Sequence, residues 1–218
     1  MNFVSFGSSH NFSKSLQRIK KEAEVIFDYV MVCNENDLED SFFNKHKDLM
    51  YSSRGFGFWI WKPQIIFQAL QCSPEGKCIV YADCGCSLVQ NNRQRLLDYA
   101  HIAQQSPSHV LGFDIHLPEY EWTKKKTLDL FPEHFAFSSQ ICATYLVLHN
   151  SPKSKQFVKE WIDLCTRDEY AYVNDDDKNP ELKDHRHDQS IYSLLSKKHN
   201  SITIHDEQIV ILGSRIRE

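Results

Sequence analysis

Hydrophobic and polar positions alternate along the chain in blocks that switch between two periods. Asn2 to Phe6 is a short apolar run stopped by Gly7, Ser8 and Ser9, after which Phe12, Leu16, Ile19 and Ala23 recur at helical spacing. That pattern predicts a strand, a tight loop and a helix. Val25 to Val32 predicts a second strand, and the acidic stretch Asn34 to Asp40 leads into a helix around Phe42 to Met50. Pro63 suits the first turn of a third helix carrying Ile65, Ile66, Ala69 and Leu70, because its missing N–H costs nothing there. A turn at Ser73, Pro74, Glu75 and Gly76 precedes a buried type of strand, Cys78 to Ala82, which delivers Asp83 at its carboxyl end.

The alternation continues with a polar helix around Arg93 to Gln104, a strand at Val110 to Phe113, an irregular segment through Lys126 and a strand at Ile141 to Leu148. Ser151 as N-cap and Pro152 at the first helical position open a helix whose apolar side carries Phe157, Val158, Trp161, Ile162 and Cys165. A polar loop over 174–184 follows. Asp188 then heads a last amphipathic helix with Ile191, Leu194 and Leu195, and small strands are expected near Ile202 to Ile204 and Ile209 to Leu212. Strands alternating with helices predict an α/β fold, a mostly parallel mixed sheet flanked by helices on both faces. No repeat or linker divides the chain, so residues 1–218 are expected to form one domain, whether alone or within a longer polypeptide.

Composition narrows the partners. With 25 Lys and Arg against 29 Asp and Glu, the net charge of -4 argues against a nucleic acid backbone as the main partner. No window approaches the roughly 20 apolar residues of a spanning helix, and the first residues lack the basic-then-apolar pattern of a secretory signal. A cytoplasmic chain without a membrane span is the expectation. Seven cysteines with no CxxC pair and no close Cys/His quartet fit reduced thiols, mostly small core residues.

Three blocks could carry chemistry. Ligands of open α/β sheets bind at the carboxyl ends of strands, where Asp83 in YADCGC stands, with Gly85 two residues on. Asp83 is either a turn residue or a metal ligand. In SSRGFGFWIWKP, residues 52–63, two glycines lie among large aromatics between Arg54 and Lys62. This block is either an aromatic plug with two outward cations or an anion site in which Arg54 and Lys62 reach phosphates beside a helix N-terminus. In DHRHDQSIYSLL, residues 184–195, Asp188 caps a helix, or else Asp188 or His187 serves as a general base or as acceptor for a hydroxyl group. Zinc is disfavoured there, because HxH lacks a third ligand. The Asp175–Asp176–Asp177 triplet follows no apolar strand and is read as solvated, as are Lys124, Lys125 and Lys126.

Taken together and in order, FVSFGSS, RGFGFWIWKP, YADCGC, EWTKKKTLDLF and HRHDQSIYSLL resemble a family of small glycosyltransferases of the GT-A fold, found in bacteria and large DNA viruses. The resemblance spans nearly the whole chain. It implies the GT-A (nucleotide-diphospho-sugar transferase) fold, a nucleotide-sugar donor with a UDP-sugar as first expectation, a hydroxyl of a glycan acceptor, and Mn²⁺ or Mg²⁺. By the same resemblance, Gly7, Ser8 and Ser9 would hold base and ribose, while Arg54 and Lys62 would lie near the donor. Asp83 would be the metal carboxylate of a DxD-type motif whose second carboxylate is replaced by Gly85. His205 or Asp206 would complete the metal shell, Lys124 and Gln140 would touch substrate, and Asp188 would face the acceptor. In an inverting reaction Asp188 would take the acceptor proton; in a retaining one it would position sugar or acceptor. A sugar nucleotidyltransferase fits less well, because FGSSHNFSKS lacks its Gly-rich basic loop. A non-catalytic nucleotide- or glycan-binding module of the same fold draws support from Gly85.

Overall fold

A computed structural model of the chain describes residues 1–176, 181–208 and 210–212. Ile209, where a late strand was expected to start, and Asp177 of the acidic triplet lie outside the described residues. The strands are β1 (Asn2–Phe6), β2 (Tyr29–Cys33), β3 (Cys78–Ala82), β4 (Ser87–Leu88), β5 (Val110–Pro118), β6 (Ser139–Ile141), β7 (Tyr145–His149), β8 (Ile202–His205) and β9 (Ile211–Leu212). The helices are α1 (Ser9–Glu24), α2 (Asp40–Ser52), α3 (Arg54–Phe58), α4 (Trp61–Cys72), α5 (Arg93–Gln105), α6 (Glu119–Trp122), α7 (Lys125–Leu128), α8 (Pro152–Thr166) and α9 (Asp188–Lys198).

The main sheet runs β2-β1-β3-β7-β5-β6, with β8 added to β5, while β4 and β9 form a separate ribbon. Strand period two decides how the sheet is covered. Along β3, Cys78, Val80 and Ala82 join one core cluster, and Ile79 and Tyr81 join the other. Along β7, Tyr145 and Val147 alternate with Leu146 and Leu148 in the same way. Apolar residues of α4, α8 and α9 fill one face, and those of α1 and α5 fill the other. Helices therefore cover both sides, as the alternation of elements predicts.

The expected mixed sheet is present, while three details of the elements differ from the sequence reading. The sheet is mixed: β1–β2, β1–β3 and β5–β8 are parallel, whereas β3–β7, β5–β6 and β5–β7 are antiparallel. Hydrophobic period reports an element's type but not its direction, so the antiparallel share is larger than simple alternation implies. The second strand starts at Tyr29, because Ile26 and Phe27 instead donate to Ala23 O and wind off the end of α1. The expected strand Ile141 to Leu148 is two strands with a break at 142–144, and the expected irregular segment holds the short helices α6 and α7. The capping of α8 is as read, with Ser151 Oγ accepting from Ser154 N–H.

Asn150, at the end of β7, fixes the turn that leads into β3. Its fully buried amide donates to Leu70 O (3.0 Å), Ser73 O (2.8 Å) and Pro74 O (3.0 Å). Asn150→Ala strands those carbonyls and is expected to lower stability by about 2 kcal/mol in urea unfolding. A loss below about 0.5 kcal/mol would show that the turn holds itself.

Candidate functional site

β1 and β3 run parallel and side by side, with Val4 opposite Tyr81, so Gly7 and Asp83 emerge together at their carboxyl ends. At Gly7 an added Cβ would meet Cys84 Sγ and Phe12 Cβ, each at 2.8 Å, so glycine lets the two loops touch. A cavity of about 440 Å³ opens there, its lining including the aromatic Phe6, Phe12 and Trp61 together with Gly7, Ser8, Asn11, Arg54 and Asp83. That volume falls within the range of small-molecule sites, about 300–1,000 Å³.

The paired glycines of RGFGFW now have a cause. Gly55 (φ 64°), Phe56 (52°), Gly57 (81°), Phe58 (52°) and Trp59 (60°) are all left-handed, so α3 and the residue after it form a left-handed turn. Each non-glycine residue so placed costs roughly 1–2 kcal/mol, and two glycines keep that sum down. Trp61 Nε1–H donates to Gly55 O (3.0 Å), and its ring stacks on Phe6 with centroids 4.0 Å apart, pinning the turn to β1. The turn sets Trp59 and the half-exposed Arg54 between the large cavity and a second, inner one. Arg54 Nη1 lies 3.3 Å from Asp184 and 3.9 Å from Asp175.

The inner cavity, about 80 Å³, is polar: Lys62, Asp83, Thr144, His187, Asp188 and Gln189 contribute to its lining. Lys62 does not turn outward. It is buried in the first turn of α4, with Nζ 3.2 Å from Asp83 Oδ1, 3.2 Å from Asp188 Oδ2 and donating to Ala143 O at 3.1 Å. The break between β6 and β7 turns that carbonyl to the lysine. Thr144 O in the same break accepts Asp83 N–H (2.8 Å), and Tyr81 Oη–H donates to Asp83 Oδ1 (2.6 Å). Burial opposes charge on Lys62, but the two carboxylates outweigh it and hold the ammonium well above the usual lysine range. Burial pushes the Asp188 carboxyl up to about 7 against the pull of Lys62. A carboxyl poised near neutrality suits proton transfer.

A second network supports the first from behind. Gln189 accepts Ala143 N–H (3.0 Å) and donates to Gln140 Oε1 (2.7 Å). Gln140 in turn donates to Glu119 Oε2 (3.1 Å), and Lys197 Nζ lies 2.6 Å from Glu119 Oε1. Gln140 is thus buried in a relay that orients Gln189 and lines neither cavity. The buried Lys124 donates to Asn174 O (3.0 Å), and its N–H donates to His185 Nδ1 (3.3 Å), bracing the loop that carries His187. Ser9 donates to Glu35 through both N–H and Oγ. His205 bonds His116 (2.8 Å), Asp206 accepts from Tyr145, and His205 also lines neither cavity. The structure therefore brings together Gly7, Ser8, Arg54, Lys62, Asp83 and Asp188, and sets Ser9, Lys124, Gln140 and His205 apart from the cavity walls. Gln189 and the Ala143 carbonyl escape sequence reasoning: the first carries no distinctive signal, and the second is backbone.

Among the described residues no cluster of three or more His, Cys, Asp or Glu is arranged to hold a metal. Asp83 lines both cavities, and Lys62 and Tyr81 both meet it at Oδ1. One carboxylate fits Mg²⁺ or Mn²⁺ only if phosphate and water oxygens supply the other ligands.

No family model matches the sequence, and no curated protein matches it. A glycosyltransferase involved in the glycosylation of the major capsid of PBCV-1 superposes with a TM-score of 0.51 at 13% identity, over 95% of this chain and 81% of that one. An active-site mutant of LgtC superposes with a TM-score of 0.50 at 10% identity, over 95% and 73%. The fold is GT-A. GlyE of Streptococcus pneumoniae TIGR4 aligns at a TM-score of 0.45 and 14% identity over 94% of this chain, which spans 45% of its length. Within the GT-A sheet, the cleft described above lies at the carboxyl ends of β1 and β3, where α/β sheets bind ligands. No helix among the described residues is long and apolar enough to cross a membrane.

The raised carboxyl of Asp188 makes a testable link to stability. Unfolded, it titrates near 3.8; folded, at about 7. Between those values the folded chain binds the extra proton, so Asp188 removes stability as pH rises from about 4 to about 7. Asp188→Asn is expected to flatten that decline in thermal midpoints measured across the interval, and parallel profiles would contradict the raised pKa.

Proposed function

We propose that the chain transfers a glycosyl group from a nucleoside-diphosphate sugar, with UDP as the first carrier to test, to a hydroxyl of a glycan acceptor. The observation that carries this reading is the two-part cleft. Its wide, aromatic end suits a nucleoside, and its narrow, polar end holds a buried cation between two carboxylates. In this reading Gly7 and Ser8 lie against the nucleoside, Arg54 meets the diphosphate, and Asp83 anchors Mg²⁺ or Mn²⁺. The metal, when bound, neutralises the leaving diphosphate. The bond from the anomeric carbon to the diphosphate oxygen breaks, a glycosidic bond to the acceptor oxygen forms, and Asp188 takes the hydroxyl proton. Lys62 keeps Asp83 and Asp188 in place and balances their charge. Seven free cysteines fit a reducing compartment, and we place the activity in the cytoplasm.

Purified protein incubated with UDP-, GDP-, CMP- and dTDP-sugars and Mn²⁺ is expected to hydrolyse or transfer from one of them. EDTA should suppress that turnover, and Asp83→Asn should lower it by about 100-fold or more. No binding and no turnover of any nucleotide sugar would reject the proposal. The replacement of a second carboxylate by Gly85 favours one other reading, a binding module; nucleotide binding without turnover, unaltered in Asp188→Asn, would select it.

A further inference from the structure

His187 is held in a way that packing alone does not require. Its backbone (φ 49°, ψ −118°) lies in a region L-residues rarely adopt, at the N-cap of α9 and directly before Asp188. Such strain persists only where the surroundings enforce it, and it gathers at functional sites. The enforcing contacts are visible. The ring stacks against Phe58 (centroids 5.1 Å apart) and Trp59 (5.3 Å), both products of the left-handed turn.

The ring's hydrogen-bonding state follows from one neighbour. Nδ1 lies 2.6 Å from Val173 O, and a carbonyl oxygen only accepts, so Nδ1 carries the hydrogen. Nε2 then presents a lone pair. That atom is buried, and no hydrogen-bond donor reaches it among the described residues. The charged group that faces it is another acceptor, Asp175 Oδ1 at 3.5 Å, on a half-exposed side chain that also lies 3.9 Å from Arg54 Nη1. Burial lowers the imidazole's proton affinity below the usual range, which keeps the ring neutral. Arg54 and Asp184 are the other charges that act on it. A buried acceptor without a donor is a costly arrangement unless a ligand supplies the donor.

We propose that His187 is a specificity residue: Nε2 accepts a hydrogen bond from one hydroxyl of the transferred sugar in the inner cavity, displacing the Asp175 carboxylate. The inference rests on the nucleotide-sugar reading above, which puts the sugar beside Asp83, Lys62 and Asp188.

The test uses two amide replacements. His187→Gln keeps an acceptor at the place of Nε2, whereas His187→Asn keeps only a donor at the place of Nδ1. Wild type and both variants are assayed for kcat and KM with UDP-glucose, UDP-galactose and their monodeoxy analogues, alongside the dissociation constant for UDP alone. Wild type should reject one monodeoxy donor by about tenfold to a hundredfold. His187→Gln should retain much of that discrimination, and His187→Asn should lose it, with UDP affinity within about twofold in all three. Equal discrimination in wild type and His187→Asn overturns the assignment while leaving glycosyl transfer intact. A parallel fall in UDP affinity would make His187 structural and also overturn it. Failure of wild type to bind or turn over any nucleotide sugar removes both readings.

Discussion

A buried ammonium group demands compensating charge, and the site is arranged around that demand. Lys62 meets it with Asp83, Asp188 and the Ala143 carbonyl, which come from the end of β3, the head of α9 and the break between β6 and β7. Three segments far apart in sequence are thus tied to one nitrogen. Removing the lysine would leave two facing carboxylates without their cation in a low-dielectric place, at a cost of several kcal/mol. The same burial that makes the pairings necessary raises the Asp188 carboxyl toward neutrality, so the structural and chemical roles of the trio have one origin.

Two further constraints shape the cleft around that centre. The left-handed turn at 55–59 places Trp59 over His187 and sets Arg54 between the wide and narrow cavities. On the other side, α1 grips the loop after Asp83: Arg18 donates to Cys84 O (3.0 Å) and Cys86 O (2.8 Å), and Glu22 accepts Leu88 N–H (2.9 Å). The helix whose first turn lines the nucleoside end therefore also fixes the backbone beside the carboxylate.

Much of this was legible in the chain, and the divisions are physical. Strands β1 and β3 and helices α1, α4, α8 and α9 follow from local period, capping and proline placement, which neighbouring residues alone determine. Asp83, Lys62 and Asp188 stood out because charged residues beside apolar runs or aromatic glycine-rich blocks are hard to explain by packing. What escaped were relations set by tertiary contact. These include the inward direction of Lys62, strand direction, the split of the 141–148 run and the remoteness of His205 from the cavity walls. The split matters most, because it presents the carbonyls of Ala143 and Thr144, which no residue pattern encodes.

The most direct test of the account is amide hydrogen exchange of the intact chain with and without UDP-, GDP-, CMP- and dTDP-sugars. One donor is predicted to protect 6–12, 54–62, 83–86 and 184–189 together, since those segments wall the two cavities. Protection confined to other surfaces, by a donor shown independently to bind, would contradict the placement of the site at the Asp83–Lys62–Asp188 cluster.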